Sequence, residues 1–356
     1  MQVVAKCLSV LTACEMLILG AAMKSITYKR AGVDLDKYDG LVKVIKQILS
    51  RSSLSSGSGH FAGMIDLGGR AGQIIVASVD GVGTKVKIAK EYGWHVGLGH
   101  DIVAHCVNDI LCIGARPIGF LDYIAFEKLD TKVFKQILSG IATECRRYGI
   151  QLIGGETAEM PGVYGRGECD LAGFIIGLTS RSSLLDGSRT RKGDLLVGLP
   201  SNGLHTNGYS LARKVLLRKC RMDLKKPPKG WREPLGRVLL KSHTNYFNQV
   251  YPLVERHLVS GIAHITGGGI AGNLERILRP GLNGTLRKSL WRVPKIFRLI
   301  AEGGPVEDRE MFRVFNMGLG MLLVVPHQSL PEVLREAHGS RVVGEITEGE
   351  GKVIVS

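Results

Sequence analysis

Residues 73–85, QIIVASVDGVGTK, decide the fold class, because an uncharged, β-branched run passes directly into a polar loop that contains glycine. The run over 73–79 predicts a buried strand. The loop supplies a carboxylate, two glycines that let backbone N–H groups approach an anion, a hydroxyl and an amine. These residues are Asp80, Gly81, Gly83, Thr84 and Lys85. Such a loop suits a metal–phosphate site with Asp80 as a Mg²⁺ ligand, although an ordinary tight turn remains the alternative for this segment taken alone.

Strand and helix patterns alternate from residue 32 onward, which predicts an α/β protein with mixed sheets. Strands are expected at 73–79, 118–126, 151–153, 172–179, 195–199, 262–265 and 319–325, and helices at 39–49, 132–148, 208–220 and 244–257. Turn residues and charges without a period fill residues 180–194, so we place a domain boundary there. The predicted divisions are an extension of residues 1–23, an N-terminal domain of 24–185 and a C-terminal domain of 186–356.

The composition excludes some classes of protein. Seven cysteines without a C-x-x-C pair disfavour a disulfide framework or a structural zinc site and favour a cytoplasmic protein. The net charge of +15 permits either an ordinary basic surface or a partner rich in phosphate. Aromatic residues are few and do not alternate with the basic clusters, which argues against a stacking platform for single-stranded nucleic acid, and we expect no nucleic-acid partner.

The N-terminal stretch is apolar over residues 8–23, but Glu15 interrupts it and it is too short to span a membrane. We therefore expect no membrane association. Residues 1–23 are expected to be a dispensable extension with Met23 as the working initiator, and an export signal is the alternative.

Residues 101–111, DIVAHCVNDIL, predict a buried helix with one narrow polar stripe made of Asp101, His105, Asn108 and Asp109. Solvated stripes usually carry Lys and Glu, whereas this mixture suits Mg²⁺ ligation or hydrogen bonds to a substrate. The alternatives are a polar surface stripe with Asp101 as the N-cap and, for His105, a simple hydrogen bond on the helix face.

Three further segments join a strand to a glycine-containing polar loop: GGETAEMPG (154–162), SNGLHTNGY (201–209) and HITGGG (264–269). Each offers backbone N–H donors or polar side chains to an anion. The candidate residues are Gly154, Gly155, Glu156, His205, Asn207, Gly267 and Gly268.

Seven motifs occur together in one order: DGVGTK (80–85), DIVAHCVNDILCIGA (101–115), FLDYIA (120–125), GGETAEMPGVY (154–164), SNGLHTNGYSLAR (201–213), HITGGG (264–269) and FNMGLGM (315–321). In these motifs the chain resembles the phosphoribosylformylglycinamidine cyclo-ligases, the aminoimidazole ribonucleotide (AIR) synthetases of purine biosynthesis. The likeness extends from about residue 28 to the C-terminus.

The resemblance implies a two-domain, ATP-binding AIR-synthetase-like fold and a homodimer in which the N-terminal domains pair their sheets. It also implies ATP- and Mg²⁺-dependent closure of formylglycinamidine ribonucleotide to 5-aminoimidazole ribonucleotide, with release of ADP and phosphate. One alternative is another ATP-dependent member of this fold family, of the selenophosphate synthetase or thiamine-monophosphate kinase type. The other is a basic nucleic-acid-binding protein.

The residues and the resemblance together assign three roles. Catalysis is expected from His205, Asn207 and Lys85. ATP and its phosphates are expected at Gly81, Gly83, Thr84, Lys85, Asn108, Gly154, Gly155, Gly267 and Gly268. Mg²⁺ is expected at Asp80 and Asp109, with Asp101 and Glu156 as additional or outer members. Because two carboxylates in one cleft repel each other without a cation, Asn at position 80 or 109 is expected to lower turnover at least ~10²-fold while apo stability holds or rises.

Overall fold

The computed structural model of the protein describes residues 25–50, 60–68 and 72–356. The strands of its N-terminal half are β1 (Gly63–Asp66), β2 (Gln73–Gly81), β3 (Arg116–Phe126), β4 (Gln151–Glu159) and β5 (Cys169–Ser180). The helices are α1 (Leu35–Ser50), α2 (Lys85–Tyr92), α3 (Val96–Leu111) and α4 (Thr131–Arg147). The five strands form one sheet in the order β1-β2-β5-β3-β4, in which β3 and β4 are parallel and the other neighbours antiparallel.

The C-terminal half is built on a second sheet. Its strands are β6 (Leu195–Pro200), β7 (Gly261–His264), β8 (Leu282–Leu286), β9 (Leu319–Val325), β10 (Arg341–Glu348) and β11 (Val353–Val355). Its helices are α5 (Tyr209–Arg213, continued as a π-helix over Lys214–Lys219), α6 (Leu235–Leu239), α7 (Phe247–Glu255), α8 (Gly269–Leu274), α9 (Lys295–Gly303), α10 (Asp308–Val314) and α11 (Leu330–Glu336). The strand order is β11-β8-β10-β6-β9-β7, and only β11 and β8 pair in parallel.

The two mixed sheets confirm the predicted fold class, and most elements differ from their predicted bounds by a few residues. Two of these differences change the positions of predicted site residues. Strand β4 continues to Glu159 because residues 154–159 keep pairing with β3, so Gly154 and Gly155 lie in a strand and not in a loop. Helix α3 begins at Val96 with His95 at its N-cap. Asp101 therefore lies inside the helix, and the alternative that it is an N-cap is wrong.

Helix α3 is the central element of the N-terminal half, where it packs against β2, β5 and α4. Two glycines allow the close approach of α3 and α4. A Cβ on Gly99 would lie 2.2 Å from the Ile137 carbonyl oxygen, and one on Gly140 would lie 2.2 Å from the Val96 carbonyl oxygen. Because only glycine fits at this crossing, the rotation of α3 is fixed, and with it the direction of its polar stripe.

Large apolar side chains are exposed on the sheet of the N-terminal half. Val79 is 56% exposed and Phe174 is 43% exposed, and both line a depression of about 680 Å³ that also contacts Leu121 and Tyr123. Exposed apolar patches of this kind often mark interaction surfaces.

The domain boundary predicted after residue 185 falls between the end of β5 and the start of β6, and it stays a prediction. Among the helices of the described residues, none combines the length and the apolar character needed to cross a membrane.

Candidate active site

A cleft of about 1140 Å³ brings together residues from both halves of the chain. Four of the predicted site residues line it: Asp80, Asn207, Gly267 and Gly268. Its walls also carry basic side chains, namely Arg276, Lys288, Arg309 and Arg313. The same walls carry the acidic residues Asp80, Glu275 and Asp308, and Lys288 and Arg313 form ion pairs with Asp308 and Asp36. The lining is therefore mixed in charge, with basic side chains available to an anion on part of the wall.

Asp80 reaches the cleft from the carboxyl end of β2. Its Oδ1 accepts a hydrogen bond of 2.8 Å from the Gly81 N–H, and its Oδ2 lies 2.9 Å from His105 Nε2. The Asp80 side chain is 38% exposed, whereas His105 is buried. The carboxylate is thus held in place from behind and remains accessible from the cleft.

His105 lies between two carboxylates, since its Nε2 is also 3.9 Å from Asp109 Oδ2. Burial alone would lower the pKa of His105, but the charge of Asp80, the hydrogen bond to it and the charge of Asp109 raise this pKa to about 9. The imidazolium therefore supplies a positive charge between the carboxylates. His105 is thus more than a hydrogen bond on the helix face. With a cation between the two carboxylates, we now expect replacement of either Asp to remove an attraction, whereas the sequence alone led us to expect relief of a repulsion.

A chain of hydrogen bonds extends from His105 into the C-terminal half. His105 Nδ1 lies 2.8 Å from Thr206 Oγ1, which lies 3.3 Å from His243 Nδ1. His243 Nε2 lies 2.9 Å from His264 Nε2, and His264 Nδ1 lies 2.7 Å from Asp109 Oδ1. The polar stripe of α3 therefore meets residues of three other segments in a buried network.

The loop of residues 266–269 offers backbone donors to the cleft. Within the described residues, neither the Gly267 N–H nor the Gly268 N–H has a hydrogen-bond partner, and both glycines line the cleft. Gly268 has a φ of 93°, in the left-handed region that favours glycine. Two free N–H groups at a cleft wall form a suitable cradle for phosphate oxygens.

Lys85 and Asp101 form a buried ion pair, which differs from both predicted roles. Lys85 Nζ lies 2.7 Å from Asp101 Oδ2, and both side chains are 0% exposed. The same ammonium donates to the carbonyl oxygens of His205 and Lys241, at 3.1 and 2.9 Å. Lys85 is thus too deep to contact a phosphate in the cleft. Asp101 forms an ion pair with Lys85 and does not join Asp80 and Asp109 in the predicted metal site.

His205 and Asn207 take different positions in the loop that precedes α5. Asn207 lines the cleft, and its catalytic role stays a prediction. His205 is 1% exposed and adopts a φ of 61°, and its ring stacks on His243 with centroids 4.1 Å apart. The His205 ring is therefore buried and packs against the hydrogen-bonded network through His243.

Asn108 and Thr84 were expected to bind phosphate, but other residues occupy their polar atoms. The Asn108 amide donates to the Thr244 carbonyl at 2.9 Å and accepts from the Tyr246 N–H at 3.0 Å. Because Asn108 is also 0% exposed, it holds the segment before α7 and does not face the cleft. Thr84 Oγ1 lies 3.2 Å from Ser210 Oγ, which links the two halves of the chain.

The remaining predicted residues lie at other places. Gly81 ends β2 beside Asp80, and Gly83 adopts a φ of 56° in the turn that follows. Glu156 lies in β4, at the edge of the first sheet, and lines the apolar depression together with Gly155. Neither Glu156 nor Gly155 lines the cleft that contains Asp80.

Sequence reasoning missed Thr206 and two histidines of the network. His264 stands at the end of β7 immediately before the glycine loop, so the pattern of a strand followed by glycines was a usable signal. His243 lies between α6 and α7, in a segment without a motif of its own. Only the folded chain places it against His205 and His264.

Comparisons with known proteins agree with this architecture. The sequence model of the AIR synthase related protein, N-terminal domain, matches residues 59–179, and that of the C-terminal domain of the same family matches residues 191–356. The chain is 45% identical over 335 residues to phosphoribosylformylglycinamidine cyclo-ligase of Myxococcus xanthus, covering 92% of this chain and 97% of that protein. It is 42% identical over 331 residues to the chloroplastic enzyme of Arabidopsis thaliana, covering 92% and 82%.

Solved structures with the same fold are more distant in sequence. AaThiL in complex with AMPPCP and TMP is 16% identical with a TM-score of 0.61, and the match covers 89% of this chain and 92% of that one. T. maritima PurL in complex with AMPPCP is 16% identical with a TM-score of 0.52, covering 80% and 42%. These likenesses establish the fold, whereas the sequence matches over nearly the whole chain establish that the protein belongs to the phosphoribosylformylglycinamidine cyclo-ligase family of ligases.

Proposed function

We propose that this protein closes the imidazole ring of 5-aminoimidazole ribonucleotide from formylglycinamidine ribonucleotide, using ATP and releasing ADP and phosphate. The observation that carries the proposal is membership in the cyclo-ligase family across both halves of the chain. The cleft that joins Asp80 to Asn207 and to Gly267–Gly268 is its candidate location. A kinase of the ThiL type is disfavoured, since identity to that structure is 16% against 42–45% for the cyclo-ligases.

ATP use is supported by two kinds of observation. The fold relatives AaThiL and PurL were solved with AMPPCP, a non-hydrolysable analogue of ATP. In this protein, the unpaired Gly267 and Gly268 N–H groups and the basic side chains Arg276 and Arg309 of the cleft wall provide groups that a polyphosphate needs.

Mg²⁺ fits the cleft through Asp80. This ion prefers oxygen ligands and is commonly held by one or two carboxylates together with phosphate oxygens. Asp80 is the predicted ligand whose carboxylate lines the cleft, and Asp109 lies behind it, bonded to His264. Asp101 does not fit because Lys85 neutralises it in a buried pair, and Glu156 does not fit because it lies on the edge strand. When bound, the ion would neutralise charge on the transferred phosphoryl group.

The chemistry requires a leaving group. The amide oxygen of the substrate attacks the γ-phosphorus of ATP, the bond to ADP breaks, and the oxygen becomes part of a phosphate. A substrate nitrogen then attacks the carbon that carries this oxygen and loses its proton. The bond between that carbon and the oxygen breaks as phosphate leaves. The Gly267 and Gly268 N–H groups would stabilise charge on the phosphoryl oxygens, and Asn207 would orient the substrate at the same wall.

The same proposal includes a cytoplasmic homodimer without nucleic-acid or membrane partners. The exposed Val79 and Phe174 and the depression between them supply an apolar face on the first sheet, which is the sheet expected to pair. Light scattering of the full chain tests the pairing, and replacing Phe174 with Glu should convert a dimer into a monomer.

The decisive experiment incubates the purified protein with ATP, Mg²⁺ and formylglycinamidine ribonucleotide and measures both ADP and 5-aminoimidazole ribonucleotide. Equal amounts of the two products are expected. ADP without the imidazole product, or phosphorylation of thiamine monophosphate in a parallel reaction, would contradict the proposal.

A further inference from the structure

His205, His243 and His264 form a set of ligand atoms that the cyclisation chemistry does not use. One ring nitrogen from each residue lies within 4.8 Å of those of the other two. All three side chains are buried, and they come from the loop before α5, the segment between α6 and α7, and the end of β7. An ion held there would cross-link three separate segments of the C-terminal half.

Two of the rings are oriented as metal-binding histidines usually are. A metal-binding imidazole typically bonds a carboxylate or another polar group through its second nitrogen, which fixes its orientation. His264 Nδ1 bonds Asp109, and His243 Nδ1 faces the Thr206 hydroxyl. The two Nε2 atoms then meet each other at 2.9 Å. Two nitrogens bound 2.0–2.1 Å from one tetrahedral ion are about 3.3 Å apart, so a small movement would admit the ion.

His205 gives independent evidence for a missing partner. Both of its ring nitrogens are buried and have no hydrogen-bond partner among the described residues. A buried polar atom without a partner is costly and calls for an explanation. The ring stacks on His243, so binding the ion requires it to turn out of this stack, at the loss of no hydrogen bond of its own.

Protonation states agree with this geometry. Burial is the largest influence on the pKa of His205, of His243 and of His264, and it lowers all three pKa values. The three imidazoles therefore stay in the neutral form that binds metals. His105 differs, since its pKa is raised and it pairs with Asp80. The second possible group, His105 with Asp109 and His264, is therefore occupied by an ion pair.

We propose that His205, His243 and His264 bind one divalent transition-metal ion of the Zn²⁺ type, at a site separate from the Mg²⁺–nucleotide position at Asp80. Three nitrogens suit Zn²⁺, Co²⁺ or Ni²⁺, whereas Mg²⁺ prefers oxygens. The cysteine count, which disfavours a structural zinc site, does not bear on a site made of histidines alone.

The experiment uses the full chain after treatment with a chelator, followed by Zn²⁺ or Co²⁺ and removal of free metal. Wild type should retain about one ion per chain, show the visible absorption bands of Co²⁺ bound in a low-symmetry site, and melt at a higher temperature with metal than without it. A large excess of Mg²⁺ should not displace the ion.

Two variants and a control distinguish the site from general binding to histidines. His205→Asn suits the test because Asn tolerates a positive φ and no ring hydrogen bond is lost. This variant should bind at least ~10-fold more weakly and lose the thermal shift, and His243→Gln should do the same. His338→Asn, at an exposed residue outside the network, should behave as wild type. Failure of wild type to retain metal, unchanged binding by His205→Asn, or displacement by Mg²⁺ would overturn the proposal.

Discussion

Helix α3 carries two charged clusters on one polar stripe, and they differ in their access to the cleft. Asp101 pairs with Lys85 where both side chains are 0% exposed. Asp109 lies further along the helix beside His105, which pairs with Asp80 at the open end of β2. The difference separates two uses of a buried carboxylate. The closed pair, Lys85 and Asp101, holds segments of the chain together. The open cluster, Asp80 with His105 and Asp109, presents a positioned carboxylate to a ligand in the cleft.

The closed pair also determines where the open cluster's neighbours lie. Lys85 donates to the His205 carbonyl, and Asp101 Oδ1 accepts from the His243 N–H at 2.7 Å. Two histidines of the buried network are thereby held through their backbones. Changes to the closed pair should consequently act on folding, and changes to the open cluster should act on turnover.

The largest expected effect comes from Asp101→Asn. Removing the carboxylate charge leaves the buried Lys85 ammonium with two carbonyl oxygens as partners, and breaking a buried pair in this way typically costs about 3–5 kcal/mol of unfolding free energy. Urea unfolding measures the change. Glu348→Gln is a matched control, since it breaks a Lys–carboxylate pair of the same 2.7 Å length on the surface and should leave stability unchanged. Equal effects of the two variants would show that burial does not distinguish the pairs.

Asp80→Asn should lower turnover ~10²-fold, because it removes the charge that faces the phosphates. Stability should fall slightly, since the pair with His105 is lost. The measurements are steady-state ADP formation and thermal melting, with Asp66→Asn in the exposed pair with Arg181 as the control. Near-normal turnover would exclude Asp80 from the phosphate site. Loss of the folded state would show that Asp80 is needed for folding and not for binding phosphate.

Asp109→Asn should have a smaller effect, about 10- to 100-fold on turnover, because Asp109 acts through His264 and His105 and not directly on a ligand. As a positioning residue it should lower kcat more than it changes the KM for ATP. It should also weaken Zn²⁺ binding, since it orients His264. A change confined to KM would instead indicate direct contact with the nucleotide.

The sequence predicts helix α3 and its polar stripe, but not which residues form ion pairs or hydrogen bonds with the charged side chains of that stripe. Apolar periodicity is a local property, so residues 101–111 are enough to show a buried helix with one polar edge. The partners lie far along the chain: Asp109 and His264 are 155 positions apart, and Asp101 and His243 are 142 apart. Their meeting depends on how the second sheet packs against α3, which no local pattern records.

The segment around Gly154 fails for a different reason. Two glycines followed by polar residues are typical of a loop, yet the backbone of 154–159 pairs with β3. Pairing with a neighbouring strand overrides the weak preference of glycine against strands. In the Asp80 loop, which has a similar composition, Asp80 and Gly81 also pair with β5 and end β2. Residues 82–84 then leave the sheet before α2 begins at Lys85, so the predicted loop is confirmed only in part.

The smallest effect should come from Thr84, which lies in sequence between Asp80 of the open cluster and Lys85 of the closed pair. Its hydroxyl lies 3.2 Å from that of Ser210, so Thr84→Ala should cost about 1 kcal/mol or less of unfolding free energy and leave the KM for ATP nearly unchanged. Ser210→Ala should reproduce both results, and the double variant should lose no more than either single one, because all three lack the same hydrogen bond. Unfolding in urea and ATP titrations of the three variants check this. If the KM for ATP rose for Thr84→Ala but not for Ser210→Ala, Thr84 would contact the phosphates as first predicted. The phosphate site would then include the residue next to Lys85.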